Sequence, residues 1–263
     1  MQARVGGAGA LLAAAVAVVS ISASLPAVSP ATAASGDYKL ARQSLPDGRS
    51  VVARWNPCQT VTYRVNAALT GRTTSQRNAA IRDVQGAFNR VSAATGITFR
   101  YVGTTTQIPL NSSANRWHTR QNSAEIVVAW VGQTRSSTRT NLLGRSGSGF
   151  AAGTGGYAFK FWKSGSDPWR GVTGRGFVVL DAAQKGKFRA GFGSGPTRGA
   201  LLLHEIGHSL GLLHVGATSQ LMYPTVLSRS TTGFASGDLA GLRRLGSSAG
   251  CVTTPGWVWS DLS

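Results

Sequence analysis

Residues 201–224 read LLLHEIGHSLGLLHVGATSQLMYP, and the rest of the predicted fold is built around them. His204 and His208 are four residues apart, so an α-helix places their side chains on one face, about one turn apart. At that separation two imidazole nitrogens can bind the same zinc ion. Glu205 lies about 100° further round the helix, where its carboxylate can reach a water on the metal without binding the metal itself. This spacing predicts the central helix of a catalytic zinc site.

A third histidine completes the predicted ligand set. Gly211 follows His208 by three residues, where the helix must end for the chain to turn back to the metal, and glycine readily adopts the left-handed conformation of such a turn. His214 is then the third ligand, which leaves one tetrahedral position for water, as in catalytic zinc sites. The alternative is a buried leucine-rich helix with incidental histidines. Three of the chain's four histidines lie in this one motif, which favours the zinc site.

The motif also carries a resemblance to a known family. HExxHxxGxxH over residues 204–214 is followed eight residues later by Met222-Tyr223-Pro224, which resembles the metzincin clan of zinc endopeptidases and is most similar to its matrixin branch. The resemblance implies a metzincin-like α/β (α+β) fold: a twisted, mostly parallel five-stranded sheet with an antiparallel edge strand, an active-site helix, and a C-terminal helix after the Met-turn. It also implies that Met222 forms an apolar floor beneath the zinc.

Hydrophobic periodicity predicts the remaining elements. Alternating apolar residues indicate strands, and an apolar stripe that ends at Gly96 indicates a long helix. Residues 132–156 are rich in Gly, Ser, Thr and Arg, which is typical of a long loop. The predicted elements, in chain order, are a strand within 55–66, a helix from 73–75 to Thr95, strands at 97–101, 125–131, 157–162 and 177–180, the zinc helix from Pro196 or Thr197, and a final helix capped by Ser236.

The resemblance also suggests where a substrate binds. It places the antiparallel edge strand at residues 155–159, where an extended peptide can pair with the sheet through main-chain hydrogen bonds. Ala158 in that strand and Tyr223 and Pro224 after the Met-turn are therefore assigned to the substrate pocket. Matrixins usually have Pro-x-Tyr at the pocket wall, whereas this chain has Pro-Thr-Val at 224–226, so their substrate preference is not carried over. The alternative for residues 155–159 is an ordinary packed hairpin.

The remaining ligand-type residues limit further metal sites. Matrixins bind a second, structural zinc through three more histidines and an aspartate, but only His118 remains here, so we predict one Zn²⁺ per chain. Structural Ca²⁺ stays open: the chain has nine Asp and Glu, whereas calcium needs clusters of oxygen ligands. The paired aspartates that open the family's last helix appear as Gly237-Asp238. We therefore do not expect the salt bridge that captures a processed N-terminus in that family.

The N-terminus predicts export. Arg4 precedes an apolar run over residues 8–19, and Ala31-Thr32-Ala33 offers a small-residue cleavage site, as in a secretory signal peptide cleaved after Ala33. The apolar run is too short for a membrane anchor, and no later segment predicts a transmembrane span, so a secreted, extracellular protein is expected.

The sequence predicts one catalytic domain with short flanking segments. Residues 1–33 are assigned to the signal peptide, 34–54 to an N-terminal arm or a short pro-segment, 55–250 to the catalytic domain and 251–263 to a C-terminal tail. The two cysteines, Cys58 and Cys251, are expected to form a disulfide because an even pair in an exported protein usually does. The alternative is two free buried thiols.

The charge predicts an attraction to anions. The chain has 27 Lys and Arg against nine Asp and Glu, for a formal net charge of +18, which favours non-specific attraction to anionic surfaces. The basic residues are scattered, and no nucleic-acid-binding signature is present, so no dedicated nucleic-acid site is expected. A monomer is expected.

The leading prediction is a secreted zinc-dependent endopeptidase that hydrolyses peptide bonds through a zinc-bound water activated by Glu205. Its partner would be a protein or peptide substrate. One alternative is a basic exported binding protein on a metzincin scaffold. Another is a zinc hydrolase that acts on cell-wall peptides. Intact His204, Glu205, His208 and His214 favour an enzyme, because a binding protein has no need of the base.

Overall fold

The computed structural model describes residues 38–111, 124–132, 140–141, 152–163, 165–225 and 231–254. Short 3₁₀ helices span Ala182–Lys187 and Ser247–Ala249. The other elements, in chain order, are β1 (Lys39–Leu40), β2 (Arg42–Ser44), β3 (Ser50–Val52), β4 (Val61–Asn66), α1 (Thr74–Thr95), β5 (Phe99–Thr104), β6 (Leu110–Asn111), β7 (Ile126–Val131), β8 (Thr140–Asn141), β9 (Gly153–Trp162), β10 (Arg170–Asp181), α2 (Arg198–Leu210), β11 (Leu212–Leu213) and α3 (Ser236–Leu245).

A five-stranded sheet forms the centre of the described structure, with strand order β5-β4-β7-β10-β9. The pairs β4·β5, β4·β7 and β7·β10 are parallel, whereas β9 runs antiparallel to β10 at one edge. The central strand β7 reads IVVAWV and is buried throughout, as expected for a parallel strand covered on both faces. The predicted fold class, with its mostly parallel sheet and antiparallel edge strand, is confirmed.

Helix α1 follows the local signals in its sequence. The Thr73 hydroxyl accepts a hydrogen bond from the Gln76 backbone N–H, and the Gln76 side chain accepts one from the Thr73 N–H, which completes a capping box. At the other end Gly96 has φ 70° and ends the helix in the left-handed conformation. The Phe88 ring stacks on Tyr63 of β4 with 3.9 Å between ring centroids. The predicted bounds of this helix are confirmed.

Strands β9 and β10 are longer than predicted. The predicted loop over 132–156 is wrong at its C-terminal end, because β9 already begins at Gly153. The strand predicted at 177–180 is part of β10, which spans the twelve residues Arg170–Asp181. Glycine-rich sequence normally favours a loop. Here Gly153, Gly155 and Gly156 belong to a strand. The backbone of β9 lies directly against helix α2, where a β-carbon at Gly155 would overlap the Glu205 carbonyl oxygen.

The predicted cap of the last helix is also wrong by one residue. Ala235, not Ser236, is the N-cap of α3, and it has no side-chain cap. The Asp238 carboxylate instead accepts a hydrogen bond from the Ala235 backbone N–H at 2.9 Å. A side chain from within the first turn therefore stabilises this helix end.

Residues 38–54 pack on the sheet and against the end of helix α2. Strands β2 and β3 form a hairpin, and β1 pairs antiparallel with β11, directly after α2. Leu40 and Val52 pack against the main hydrophobic core, so this segment, hereafter the N-terminal arm, contributes to that core.

A disulfide joins Cys58 to Cys251, with 5.4 Å between their Cα atoms. Arg54 adds hydrogen bonds from its guanidinium to the backbone carbonyls of Ala249 and Gly250. Residues 54–58 and 249–251 are therefore held together by a covalent bond and by hydrogen bonds from the Arg54 side chain.

We expect the Cys58→Ser/Cys251→Ser double variant to unfold at lower denaturant concentration than the wild type. The bond joins residues 193 apart in the chain, and the entropy of a loop of this length in the unfolded chain corresponds to roughly 5 kcal/mol. Urea unfolding followed by tryptophan fluorescence measures the difference, with the reduced wild type as a control. An unchanged midpoint in both samples would contradict the prediction.

Several predictions lie outside the described residues. They are the signal peptide with its cleavage site after Ala33, the position of His118, and the tail beyond residue 254. Among the described residues, no helix combines the length and hydropathy needed to cross a membrane.

Candidate metal centre

Helix α2 carries the central residues of the site and is fixed at both ends. Thr197 caps its N-terminus by accepting a hydrogen bond from the Ala200 N–H at 3.1 Å. Arg198 in its first turn forms an ion pair with Asp83 of α1 at 2.5 Å. Gly211 ends the helix with φ 113°, and its N–H bonds to the last turn. A β-carbon at Gly211 would also lie 2.8 Å from the Ala53 carbonyl oxygen of the N-terminal arm, so only glycine fits this turn.

The three histidines of the motif converge on one point. The Nε2 atom of His214 lies 3.1 Å from Nε2 of His204 and 3.0 Å from Nε2 of His208. Their ligand atoms all lie within 4.8 Å of one another, and they form the one such group of His, Cys, Asp and Glu found among the described residues. His204 is buried, His208 is half-buried and His214 is exposed, so the group opens to solvent on one side.

Backbone carbonyls orient two of these imidazoles. His204 Nδ1 lies 2.8 Å from the Leu221 carbonyl oxygen, and His208 Nδ1 lies 2.8 Å from the Leu212 carbonyl oxygen. A carbonyl oxygen only accepts hydrogen bonds, so each Nδ1 must carry the ring proton and donate the hydrogen bond. Each Nε2 is then left with a lone pair directed at its neighbours. Backbone carbonyls fix the orientation of metal-binding histidines in this way.

This donor set fits zinc. In a tetrahedral site with Zn–N distances of about 2.0–2.1 Å, two ligand nitrogens lie roughly 3.3 Å apart, close to the separations found here. Burial lowers the pKa of His204 to about 3 and that of His208 to about 4, and it also lowers the pKa of His214. Neutral imidazoles are the form that binds a metal. Unprotonated Nε2 atoms this close together repel one another, and a cation between them removes that repulsion.

The carboxyl group of Glu205 lies beside the histidines in a buried position. Its side chain packs on β9, because a β-carbon at Gly153 would lie 3.0 Å from both Cγ and Oε1 of Glu205. The Gly155 backbone N–H donates a hydrogen bond to the carboxylate, which lowers its pKa. Burial outweighs that bond and raises the pKa of Glu205 to about 8. A carboxyl group with a pKa near neutrality can both accept and release a proton.

Two glycines of β9 make room for Glu205 and its helix, a role that sequence reasoning did not identify, although it placed Gly155 in the substrate-pairing strand. A β-carbon at Gly155 would overlap the Glu205 carbonyl oxygen, so backbone lies directly on backbone there. Gly153 leaves the space that the Glu205 side chain occupies. The sequence signal was a Gly-x-Gly-Gly run next to a predicted strand, since glycine in a strand often marks the close approach of another backbone.

Met222 lies beneath the zinc helix. A β-carbon at Gly207 would lie 2.7 Å from the Met222 sulfur, which places the side chain against the helix between the two ligand histidines. Met222 is fully buried. Its carbonyl oxygen accepts a hydrogen bond from the Val215 N–H at 3.1 Å. The methionine segment is thereby attached to the residue that follows His214.

Asp238 of α3 holds this segment from the opposite side. Its carboxylate accepts hydrogen bonds from the backbone N–H groups of Leu221 at 2.7 Å and Met222 at 3.2 Å, in addition to that of Ala235. Burial raises the pKa of Asp238, and these three donors lower it. Because Leu221 provides the carbonyl for His204 Nδ1, Asp238 positions that ligand indirectly.

We expect the Asp238→Asn variant to be less stable and to bind zinc more weakly. An amide has a single acceptor oxygen, so at least one buried N–H loses its partner, which costs about 1–3 kcal/mol. Urea unfolding and a chelator competition measure the two effects. Asp47→Asn provides a matched control, since Asp47 forms an exposed ion pair with Arg49. Equal behaviour of the two variants would refute a special role for Asp238.

The histidines open into a cleft of about 420 Å³. Pro224 lines this cleft, whereas Tyr223 and Ala158 are not among its lining residues. Ala158 lies within β9, opposite Arg175 of β10, and Tyr223 is partly buried in the turn after Met222. The full lining consists of Ala152, Gly153, Thr154, Phe188, Leu201, His204, Glu205, His208, His214, Pro224 and Thr225.

Comparison with known proteins agrees with this geometry. Residues 158–246 match the family model described as Matrixin, a span that includes α2, all three histidines and Asp238. None of the curated proteins compared with the chain matches its sequence. The three adjacent histidines fit the zinc-binding motif HExxHxxGxxH. The resemblance predicted from the sequence is therefore confirmed: this chain carries the matrixin zinc-peptidase motif in a mixed α/β fold.

Proposed function

We propose that this chain is a secreted zinc-dependent endopeptidase that acts on extended segments of protein. The observation that carries the proposal is the meeting of three Nε2 atoms and the buried Glu205 carboxyl group in one open cleft. Three neutral nitrogen ligands with an adjacent acid–base group characterise catalytic rather than structural zinc sites. The matrixin match supports peptide bonds as the substrate class.

Each residue has a proposed role. His204, His208 and His214 would hold the zinc ion, and Met222 would support them from below. The bound ion would supply Lewis acidity to the attacking water and to the scissile carbonyl group. Glu205 accepts the proton of the attacking water and then donates it to the nitrogen of the leaving amine. The Gly155 N–H keeps the carboxylate oriented through both proton transfers.

The edge of the sheet offers a site for the substrate backbone. Among the described strands β9 lies at the edge of the sheet, and Gly153 and Thr154 of that strand also line the cleft. An extended peptide that pairs with an exposed strand gains main-chain hydrogen bonds without regard to its sequence. Pro224 would form part of the pocket wall, and the assignment of Tyr223 and Ala158 to the same pocket stays a prediction from the family resemblance.

Export and domain organisation complete the proposal. We assign residues 1–33 to a signal peptide and residues 55–250 to the catalytic domain. The disulfide between Cys58 and Cys251 supports an extracellular location, because such bonds persist in oxidising compartments. The net charge of +18 favours contact with anionic surfaces outside the cell.

A zinc-dependent assay tests the proposal. We expect the purified protein to contain one zinc ion per chain and to degrade a reduced, carboxymethylated protein substrate. A zinc chelator should abolish degradation, and added zinc should restore it. Metal analysis and gel electrophoresis provide the two measurements. A zinc-loaded chain that cleaves cell-wall peptides but no unfolded protein would favour the cell-wall hydrolase, and one that cleaves neither would favour the exported binding protein.

A further inference from the structure

The N-terminal arm approaches the metal centre at one point. Strand β1 pairs antiparallel with β11, with Lys39 opposite Leu213 and Leu40 opposite Leu212. The pairing continues one residue further, where the Ala41 N–H donates a hydrogen bond to the Gly211 carbonyl oxygen at 2.8 Å. The arm is thus bonded to the segment that links helix α2 to the third histidine.

That segment orients two of the three ligands. The Leu212 carbonyl oxygen accepts a hydrogen bond from His208 Nδ1–H, and Leu213 directly precedes His214 in the chain. On the far side of His214, the Val215 N–H bonds to the Met222 carbonyl oxygen. The backbone of His214 is consequently held on one side by the methionine segment and on the other by the arm.

The arm itself is anchored to α3 and to β9, and it is also held together internally. Tyr38 packs on α3, since a β-carbon at Gly241 would lie 3.1 Å from Cβ of Tyr38. The Gln43 side chain donates a hydrogen bond to the Tyr157 hydroxyl of β9 at 3.1 Å. Leu45 is buried, and the Ala53 N–H bonds to the Ala41 carbonyl oxygen at 3.2 Å. These contacts give β1 a fixed position from which to support β11.

We infer that residues 38–41 are positioning residues of the metal centre, and that the arm is a permanent part of the active protein rather than a pro-segment removed on activation. The arm supports the backbone of β11, which orients His208 and leads to His214. Asp238 plays the corresponding part for His204, because it binds the backbone of Leu221. The inference rests on the proposed function only in assuming that the metal centre binds zinc. It predicts that loss of the β1·β11 pairing weakens zinc binding.

The Ala41→Pro variant of the full chain tests this inference. Proline has no N–H, and its ring occupies the space of the lost proton, so the bond to the Gly211 carbonyl oxygen cannot form. We expect zinc affinity in a chelator competition to fall about 10–100-fold, the usual effect of losing a group that orients a metal ligand. We also expect the visible spectrum of the cobalt-substituted protein to change, since that spectrum reports the ligand geometry.

Two controls separate positioning from general stability. Ala41→Gly removes a buried methyl group but keeps the N–H, so we expect it to retain most of the zinc affinity that Ala41→Pro loses. Leu45→Ala removes a buried side chain from the arm but leaves the β1·β11 pairing in place, so it should lower the melting temperature and retain zinc affinity. All measurements are made below the melting temperature of the least stable variant.

Each outcome decides the inference. Wild-type zinc affinity in Ala41→Pro would overturn it, as would an equal loss of affinity in Leu45→Ala at a similar melting temperature. A wild-type chain that binds no zinc would refute the proposed function instead. A wild-type chain that binds zinc but cleaves no peptide would also refute the proposed function, while the difference between Ala41→Pro and Ala41→Gly would still decide the role of the arm.

Discussion

The Glu205→Gln variant is expected to retain zinc and to lose peptide hydrolysis. Glutamine keeps the shape of the side chain and an oxygen that can accept the Gly155 N–H, but it cannot take a proton from the attacking water. Removal of a general base typically lowers the rate by a factor of about 10²–10⁴. The ratio kcat/KM on a peptide substrate gives the loss, and metal analysis of the same sample gives the zinc content.

The two measurements must be read together. The side chain of Glu205 lies between β9 and the histidines and is almost fully buried, so a change of shape could disturb the ligands. Glu205→Ala, which leaves a cavity, serves as the comparison. If Glu205→Gln binds zinc normally and still hydrolyses peptides at close to the wild-type rate, Glu205 is not the base.

The His208→Ala variant is expected to lose its metal. Two imidazoles would remain, and His208 is the ligand whose Nε2 lies 3.0 Å from that of His214. Loss of a group that merely orients a ligand costs 10–100-fold in affinity, so loss of a ligand should cost more than about 100-fold. Equilibrium dialysis against zinc measures the change.

A matched control uses the one histidine outside the motif. His118→Ala removes an imidazole from the same chain and should leave both zinc content and hydrolysis unchanged. If His118→Ala removes the metal while His208→Ala retains it, the ligand assignment is wrong. Hydrolysis by a His208→Ala sample that has been shown to be metal-free would contradict the proposed mechanism.

The sequence alone predicted the features that local chemistry determines. The spacing of the three histidines, a helix start within residues 73–75 and the left-handed turn at Gly211 each depend on residues close together in the chain. Helix geometry and glycine conformation are sufficient for these predictions. The matrixin resemblance supplied the mostly parallel five-stranded sheet and the place of its antiparallel edge strand.

The features that the sequence did not reveal depend on long-range contacts. Gly153 and Gly155 were assigned to a loop or an edge strand, because nothing local shows that helix α2 lies against them. The resemblance places Asp238 only at the start of the last helix, whereas its carboxylate also accepts hydrogen bonds from the backbone N–H groups of Leu221 and Met222. The pairing of residues 39–40 with 212–213 joins segments that no periodicity connects.

The disulfide between Cys58 and Cys251 bears on how this protein should be handled. Because the two cysteines are joined, one cut in the main chain between them leaves two fragments in a single covalent molecule. A preparation that slowly digests itself would run as one full-size band on a gel without reductant and would separate into shorter bands with it. Band size under non-reducing conditions is therefore no measure of whether the preparation is intact.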